Sequence, residues 1–415
     1  MRNQSWYKML GPGLLYAGAA IGVSHLVQST RAGAEFGYGL VWAIVIANIL
    51  KYPFFEAGPR YAAVTGNSLL HGYKALGNWV LYLFIGITVS TMFVIQSAVT
   101  VVTAGLASEI TGLVFAPWII SSGLLFICLA ILLIGNYSFL DKAMKLIIVV
   151  LTLTTIVALG FSLLGNPQQY EVYITTFSFS NNEHILFLIA LMGWMPAPLD
   201  ISVWHSVWAV EKSKEVDNKI SLKASLLDFK IGYFGTFILA ICFLGLGAAT
   251  IYGTGIELAS SGGGFAKQLI AIYTNTLGDW AYPIIALAAF TTMFSTTLTC
   301  LDAFPRVLSP ATVMISGNSS VKENKWYTTW LAIVVLGTVL ILSLFLTNMK
   351  SMVDFATKVA FITSPVIAIL NYWVMNGKTI PEQYRQPKYL KIISWIGIVY
   401  LIGFSFYFLW ISSFN

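Results

Sequence analysis

Residues 191–205 read "LMGWMPAPLDISVWH". They sit in an apolar run of about 20 residues, the length that crosses about 30 Å of hydrocarbon. Pro196 and Pro198 lie in its middle. Each removes a backbone donor and crowds the preceding turn, so a helix passing through must open here. A softer interruption lies near the start. Residues 20–34 read "AIGVSHLVQSTRAGA", where Gly22, Ser24 and His25 break an apolar run and Gln28, Ser29, Thr30 and Arg31 follow. Open backbone at membrane depth is tolerated only where it lines a cavity or is buried in protein.

The surrounding chain has the composition of a membrane protein. Of 415 residues, 57% are hydrophobic and 10% charged, too little charge to cover a soluble core of this size. Thirteen Trp and 20 Tyr suit rings placed at the two interfaces. Eleven spans are expected, at about 11–31, 38–63, 79–107, 117–135, 143–165, 184–208, 227–252, 281–303, 327–347, 354–375 and 390–413. The first run, from Gly11, leads straight into further spans and reads as a retained helix rather than a cleaved signal. The chain thus reads as an all-α polytopic membrane protein, one transmembrane domain over residues 1–415.

Charge sets its orientation. Loops on one side, including the N-terminal segment with Arg2 and Lys8, hold 18 of the 23 Lys and Arg residues. The opposite loops hold Arg31, Lys267 and Lys350, while Lys51 and Lys358 fall inside spans. The positive-inside rule then places the N-terminus in the cytoplasm and the C-terminus outside, in a bacterial inner membrane. The net charge of +6 is therefore topological and no sign of nucleic-acid binding. The mixed-charge stretch at 210–230 reads as a solvated amphipathic connector. Cys128, Cys242 and Cys300 lie in apolar runs and read as buried small hydrophobes. With no loop longer than about 30 residues, no GxxxxGK[ST] loop and no nucleophile–base set, an ATP pump or an enzyme is not expected, nor is a cofactor.

The two interruptions fall in spans one and six. Five is odd, so two five-helix repeats would have opposite topology, here about 11–165 and 184–375, with 390–413 as an extra helix. Breaks at matching places in two inverted halves point to a transport site near the midplane.

The residues also resemble a known family. "GPGLLYAGAAIG", "AGAEFGYGLVWAIVIANIL" and "RYAAVTG" in the first two spans, with "FSTTLTCLDAF" in the eighth, are similar to the Nramp family of divalent-metal transporters. The resemblance implies a leucine-transporter-like fold of two inverted five-helix repeats plus an eleventh helix, working by alternating access. It also marks departures. Counted from Gly11-Pro12-Gly13, the family's metal-binding Asp-Pro-Gly-Asn falls on Gly22, Val23, Ser24 and His25. The family's Met-Pro-His in span six has two registers here. One puts Met195 at the Met and Ala197 at the His. The other puts Ala197 at the Met, Pro198 at the Pro, Leu199 at the His and Asp200 after it. The family's acidic third-helix residues and ninth-helix Arg are missing, since no charged residue or His occurs between Ala75 and Ser108 or within span 327–347. Its tenth-helix Gln falls at or beside Thr357 or Lys358.

The candidate substrate set is therefore Gly22, Ser24, His25, Gln28, Met195, Ala197, Asp200, Thr357 and Lys358. No metal-ligand set is assigned; His25 and Asp200 are all that remains of one. A bare transition ion wants carboxylate, imidazole or thioether ligands in one shell, and an inward Lys358 would repel it. We expect a secondary transporter with a remodelled site for a small anion, a zwitterion or a hydrated ion. Its partners are a small ion or solute and the lipid bilayer. The alternatives are a divalent-cation transporter using His25, Asp200 and backbone carbonyls, and a non-transporting membrane sensor. Transport should be proton-uncoupled, or coupled through His25 alone. Asp354 with Lys358 and Asp302 with Arg306 have the i,i+4 spacing of structural ion pairs. Ser295, Thr296, Thr297 and Thr299 read as helix-packing hydroxyls.

Overall fold

The computed structural model describes residues 11–134, 137–164, 174–215, 221–316, 323–346 and 348–414. Arg2, Lys8, Lys219 and Lys322, four of the basic loop residues, lie outside them. The described chain is helical from end to end. Helices α1 (Pro12–Ala20) and α2 (Thr30–Phe36) are joined by a π-helical turn at Ser24–Ser29. Then come α3 (Val41–Thr65), α4 (Leu69–Leu76), α5 (Asn78–Thr111), α6 (Pro117–Ile134) and α7 (Tyr137–Leu164). The second half runs α8 (Asn182–Gly193), α9 (Ile201–Glu215), α10 (Leu222–Thr250), α11 (Gly262–Leu277), α12 (Tyr282–Ser316), α13 (Glu323–Phe345), α14 (Met349–Asn376) and α15 (Lys388–Phe414). Eight described helices are long and apolar enough to cross a membrane. The pairs α1/α2 and α8/α9 make the two broken passes, and α7 completes the expected eleven.

Both breaks are real, with edges slightly displaced from those expected. The last regular bond of α1 runs from Ile21 N to Ala17 O, and Ile21 and Gly22 are non-helical before the chain resumes at Val23. The second break spans Trp194–Asp200, wider than the Pro196–Pro198 segment that marks it in the sequence, because two prolines in three residues leave no room for a turn between them. Two short helices were not foreseen. Helix α4 follows the second pass, and α11 follows the seventh. They occupy the same place in each half, and α4 covers core with Leu69, Leu70 and Tyr73.

The two halves wrap around each other. Helix α3 packs on α10, its counterpart five passes later, and α5 packs on α12 in the same relation. Helix α3 also runs along α9, and α10 along α2. Lipid provides no hydrophobic drive between helices, so close approach depends on small residues. Gly33 lies against the backbone of Leu244, and Gly247 against that of Thr30. Gly58 meets Ser202 in the matching contact between α3 and α9.

The 210–230 stretch is not a solvated connector throughout. Its ends are helical, and Asp228, buried in α10, accepts from the amides of Gly11 (3.2 Å) and Gly13 (2.6 Å). It caps the start of α1, where the first amides have no helical partner. The Asp302–Arg306 pair forms as expected, at 2.7 and 2.8 Å, and recruits Glu211 and the Tyr327 hydroxyl. The Asp354–Lys358 pair does not, because Asp354 is taken by Arg31 from across the molecule.

The packing is tested on one helix. A Cβ at Gly247 would collide with Thr30 O, whereas Gly235 has nothing within 4 Å. Gly247→Leu should lower the melting temperature in detergent, by overpacking worth about 1–3 kcal/mol, and Gly235→Leu should leave it unchanged.

Candidate functional site

Half-helices α1 and α8 both end at the breaks, so both present orphan C-terminal carbonyls to the middle of the molecule. Such ends carry partial negative charge, and in folds of this kind they are natural seats for cations. Here both are filled by the protein. Thr296 of α12 donates its hydroxyl among Gly18 O (3.0 Å), Ile21 O (3.2 Å) and Thr292 O of its own helix (3.2 Å). Lys51 of α3, completely buried, donates to Met192 O (2.7 Å) and Gly193 O (2.8 Å). An ammonium group therefore stands at the carbonyl end of α8. The sequence showed Lys51 as a lone charge inside a span; what it faces was not readable.

At the first break, Gly22 is backed by Thr296. A Cβ there would lie 2.8 Å from Thr296 Cγ2 and 2.9 Å from its Oγ1. His25 sits in the π-helical turn with both ring nitrogens engaged. Its Nε2 is 3.0 Å from Thr236 O of α10, and its Nδ1 is 2.7 Å from Ser24 Oγ. A carbonyl only accepts, so Nε2 carries a proton and the free ring accepts at Nδ1. The Ser24 hydroxyl also reaches Ala20 O (2.9 Å) and Pro196 O (3.3 Å), which ties the two breaks together. His25 thus offers the gap no free ligand atom. Met195 and Ala197 are buried at the second break, and Thr357 spends its hydroxyl proton on Val353 O and Asp354 O of its own helix.

Between the breaks lies a cavity of about 20 Å³, room for a single small group. Its walls are mostly apolar, with Ser24, Thr296 and Cys300 among them. Trp194 and Trp204 also line it, and both indole Nε1 atoms are buried without a hydrogen-bond partner among the described residues. Two residues of the gap's lining therefore carry unused donors. No group of three or more His, Cys, Asp or Glu suited to a metal occurs among the described residues.

On the face where α2 ends and α8 and α14 begin, a vestibule of about 750 Å³ opens. Arg31, Lys350 and Lys358 line it together with Glu35, Glu183 and Asp354. A latch lies at its inner edge. Arg31 Nη1 is 2.6 Å from Asp354 Oδ1 and 2.9 Å from Gln28 Oε1, and Gln28 Nε2 donates to the same Asp354 oxygen at 3.0 Å. The Arg31 guanidinium also lies 4.9 Å from the centre of the Phe187 ring. The latch ties α2 to α14 and rests on α8. At the other end, Tyr16, His205, Phe229 and Tyr233 form an aromatic plug. Thus Lys358 lines the vestibule and Gln28 lies buried in the latch at its inner edge, while Gly22, Ser24 and Asp200 lie at the breaks. Arg31, Lys51, Trp194 and Trp204 join the site although sequence reasoning did not select them.

If the latch separates vestibule from gap, its loss should expose Cys300. In a Cys128→Ser, Cys242→Ser background, Asp354→Asn should raise the rate of Cys300 labelling by an impermeant thiol reagent several-fold. An unchanged rate would mean that the latch does not control access.

These features can be set beside known proteins. A family model described as natural resistance-associated macrophage protein-like matches residues 13–411. A Pasteurella multocida protein described as uncharacterized is 34% identical, over 98% of this chain and 92% of its own length. The divalent metal cation transporter MntH of Staphylococcus saprophyticus is 22% identical, over 98% of this chain and 92% of its own. Among solved structures, a manganese transporter from Eremococcus coleocola superposes with a TM-score of 0.72 at 14% identity, covering 98% of this chain and 87% of that one. MhsT, solved in complex with L-phenylalanine, gives 0.61 at 14% identity, covering 95% and 98%. These likenesses establish the leucine-transporter-like fold with its two inverted five-helix repeats, and the divalent metal cation and manganese relatives are named as transporters. Integral to the membrane and matched almost end to end, the chain belongs to the Nramp family.

Proposed function

We propose that this chain is an alternating-access secondary transporter for a small solute bearing an anionic or hydrogen-bond-accepting group, and that it does not carry a bare transition ion. The single observation that carries this reading is Lys51, whose ammonium occupies the carbonyl end of α8. Its donors fill the carbonyl end that a bound cation would otherwise use, and any charge it carries repels a divalent ion. Three further features support the reading. The first break has Gly22 in place of a carboxylate, His25 is committed to Thr236, and the gap offers two unpaired indole donors. Buried donors favour a partner that accepts, because leaving them unpaired is costly. The repeats run about 11–165 and 184–375, and the basic loops face the cytoplasm. The vestibule then opens to the outside.

A second reading, transport of a divalent cation, is kept by the relatives named as divalent metal cation transporters. It requires His25 to leave Thr236 and Lys51 to leave its carbonyls. Tryptophan fluorescence of the purified protein in nanodiscs separates the two. Under the first reading, manganese chloride gives no saturable change below millimolar concentration. Small carboxylates or amino acids give one, weakened about tenfold or more in Trp204→Phe. Micromolar manganese binding that is lost in His25→Ala would establish the second reading instead.

Gly22→Asp returns a carboxylate to the first break. Calorimetry should show no gain of manganese affinity, because Thr296 already fills that space and Lys51 remains. A gain of tenfold or more would show that the lost carboxylate alone explains the altered site.

A further inference from the structure

We infer that Asp200, with hydroxyl oxygens of Thr91, Thr363 and Ser364, forms a binding site for one monovalent hard cation of about the size of sodium. These residues line a cavity of about 10 Å³ between α5, the second break and α14, about the volume that holds a single water-sized particle. The site is separate from the gap between the breaks and from the vestibule, and it does not depend on which solute the gap accepts.

The chemistry follows from where the protons are. Thr91 donates its hydroxyl to Ile87 O (3.0 Å) and Thr88 O (3.3 Å), Thr363 to Ala360 O (3.1 Å) and Val359 O (3.3 Å), and Ser364 to Ala360 O (2.6 Å). Each hydroxyl proton is committed to its own helix, so these residues present only lone pairs to anything else. Asp200 adds a carboxylate that is more than nine-tenths buried, and its Oδ2 has no hydrogen-bond partner among the described residues. No Lys, Arg or His among them pairs with it. The nearby titratable groups are Tyr73, whose proton goes to Asn371 Oδ1 (2.6 Å), and Cys300.

The hydroxyls present lone pairs, and an ionised Asp200 at membrane depth meets only the backbone amides of Asp200 and Ile201, with Oδ2 left unpaired among the described residues, so the site calls for a cation. The donors are hard oxygens, without thiolate, thioether or imidazole, so they do not select a transition metal. One carboxylate neutralises one positive charge. A divalent ion would leave a net charge buried, and calcium or magnesium would need more oxygen ligands or retained waters than the volume allows. Asp200 opens α9 at the second break, so a cation there bears directly on how that half-helix sits against α5 and α14. Loading it is a means of coupling a cation gradient to the movement of α9.

The test uses the full-length protein in nanodiscs, without manganese or organic solute. Intrinsic fluorescence, to which Trp194 and Trp204 contribute beside the break, is titrated with sodium chloride against N-methyl-D-glucamine chloride at constant ionic strength. A saturable change specific to sodium is expected. It should vanish in Asp200→Asn, and its midpoint should rise about tenfold in Ser364→Ala and in Thr91→Val, each of which deletes one ligand oxygen. An equal response to N-methyl-D-glucamine, or one that survives Asp200→Asn, overturns the proposal. So does a response that follows pH with sodium absent, which would put a proton on Asp200. If Asp200→Asn cannot be purified folded, unshifted midpoints in both hydroxyl variants overturn it. Because manganese and solute are absent, failure here leaves the solute reading of the gap standing, and failure of that reading leaves this one standing.

Discussion

Two sets of backbone carbonyls at the ends of α1 and α8 lie far from water, and something must satisfy them. In a low-dielectric interior an unpaired carbonyl is costly, so a broken helix is stable only with its ends occupied. This chain meets that demand with its own side chains, the Thr296 hydroxyl at one end and the Lys51 ammonium at the other. The rest of the site is arranged around that choice. A lysine at a carbonyl end donates to the oxygens that a bound ion would otherwise satisfy, and so stabilises the break.

The scaffold is shaped to hold these partners in reach. Lys51 meets α8 because α3 packs along the second broken pass, with Gly58 letting the backbones of α3 and α9 approach. Thr296 meets α1 because α12 lies beside it, and Thr103 and Gln96 of α5 fix the turn below through Thr297. Asp228 holds the start of α1 against α10, and Arg31 holds α2 to α14. Each broken pass is thereby tied on both sides of its break to an unbroken helix. Motion of one half-helix must then exchange these contacts as a group, the behaviour expected of an element with two discrete positions.

The polar chemistry of the interior divides into two complementary parts. The gap between the breaks is lined by two tryptophans with unpaired indole donors and by no acid, whereas the other cavity is lined by hydroxyls and by Asp200, whose Oδ2 is unpaired among the described residues. The two lie on either side of the second break. Pro198 lines both, so a rearrangement of that segment is felt in both. His25, which sequence reasoning placed among the candidate substrate residues, joins the first broken pass to α10 through Thr236. Its place in the motif is conspicuous, but its partner makes it a structural link in this conformation.

What the sequence determined by itself was everything the bilayer imposes along one dimension. Span number, helical class, the two interruptions and the missing carboxylate at Gly22 follow from the length of apolar runs, from proline, and from a motif counted from Gly11. The tertiary structure decided which groups meet. Asp354 has Lys358 one turn away, yet it pairs with Arg31, more than 300 residues distant in sequence, because the packing of α2 brings the guanidinium to 2.6 Å from the carboxylate. Lys51 reads in sequence as an isolated charge and becomes the cap of a helix 141 residues away. Helices α4 and α11 are too short and amphipathic to register as spans, and they form because the bundle buries one face of each. Hydrophobic length is a property of each segment and its solvent. Partner choice depends on the rotation and depth of every helix against its neighbours, which small-residue contacts such as Gly33 with Leu244 set only once the chain has folded.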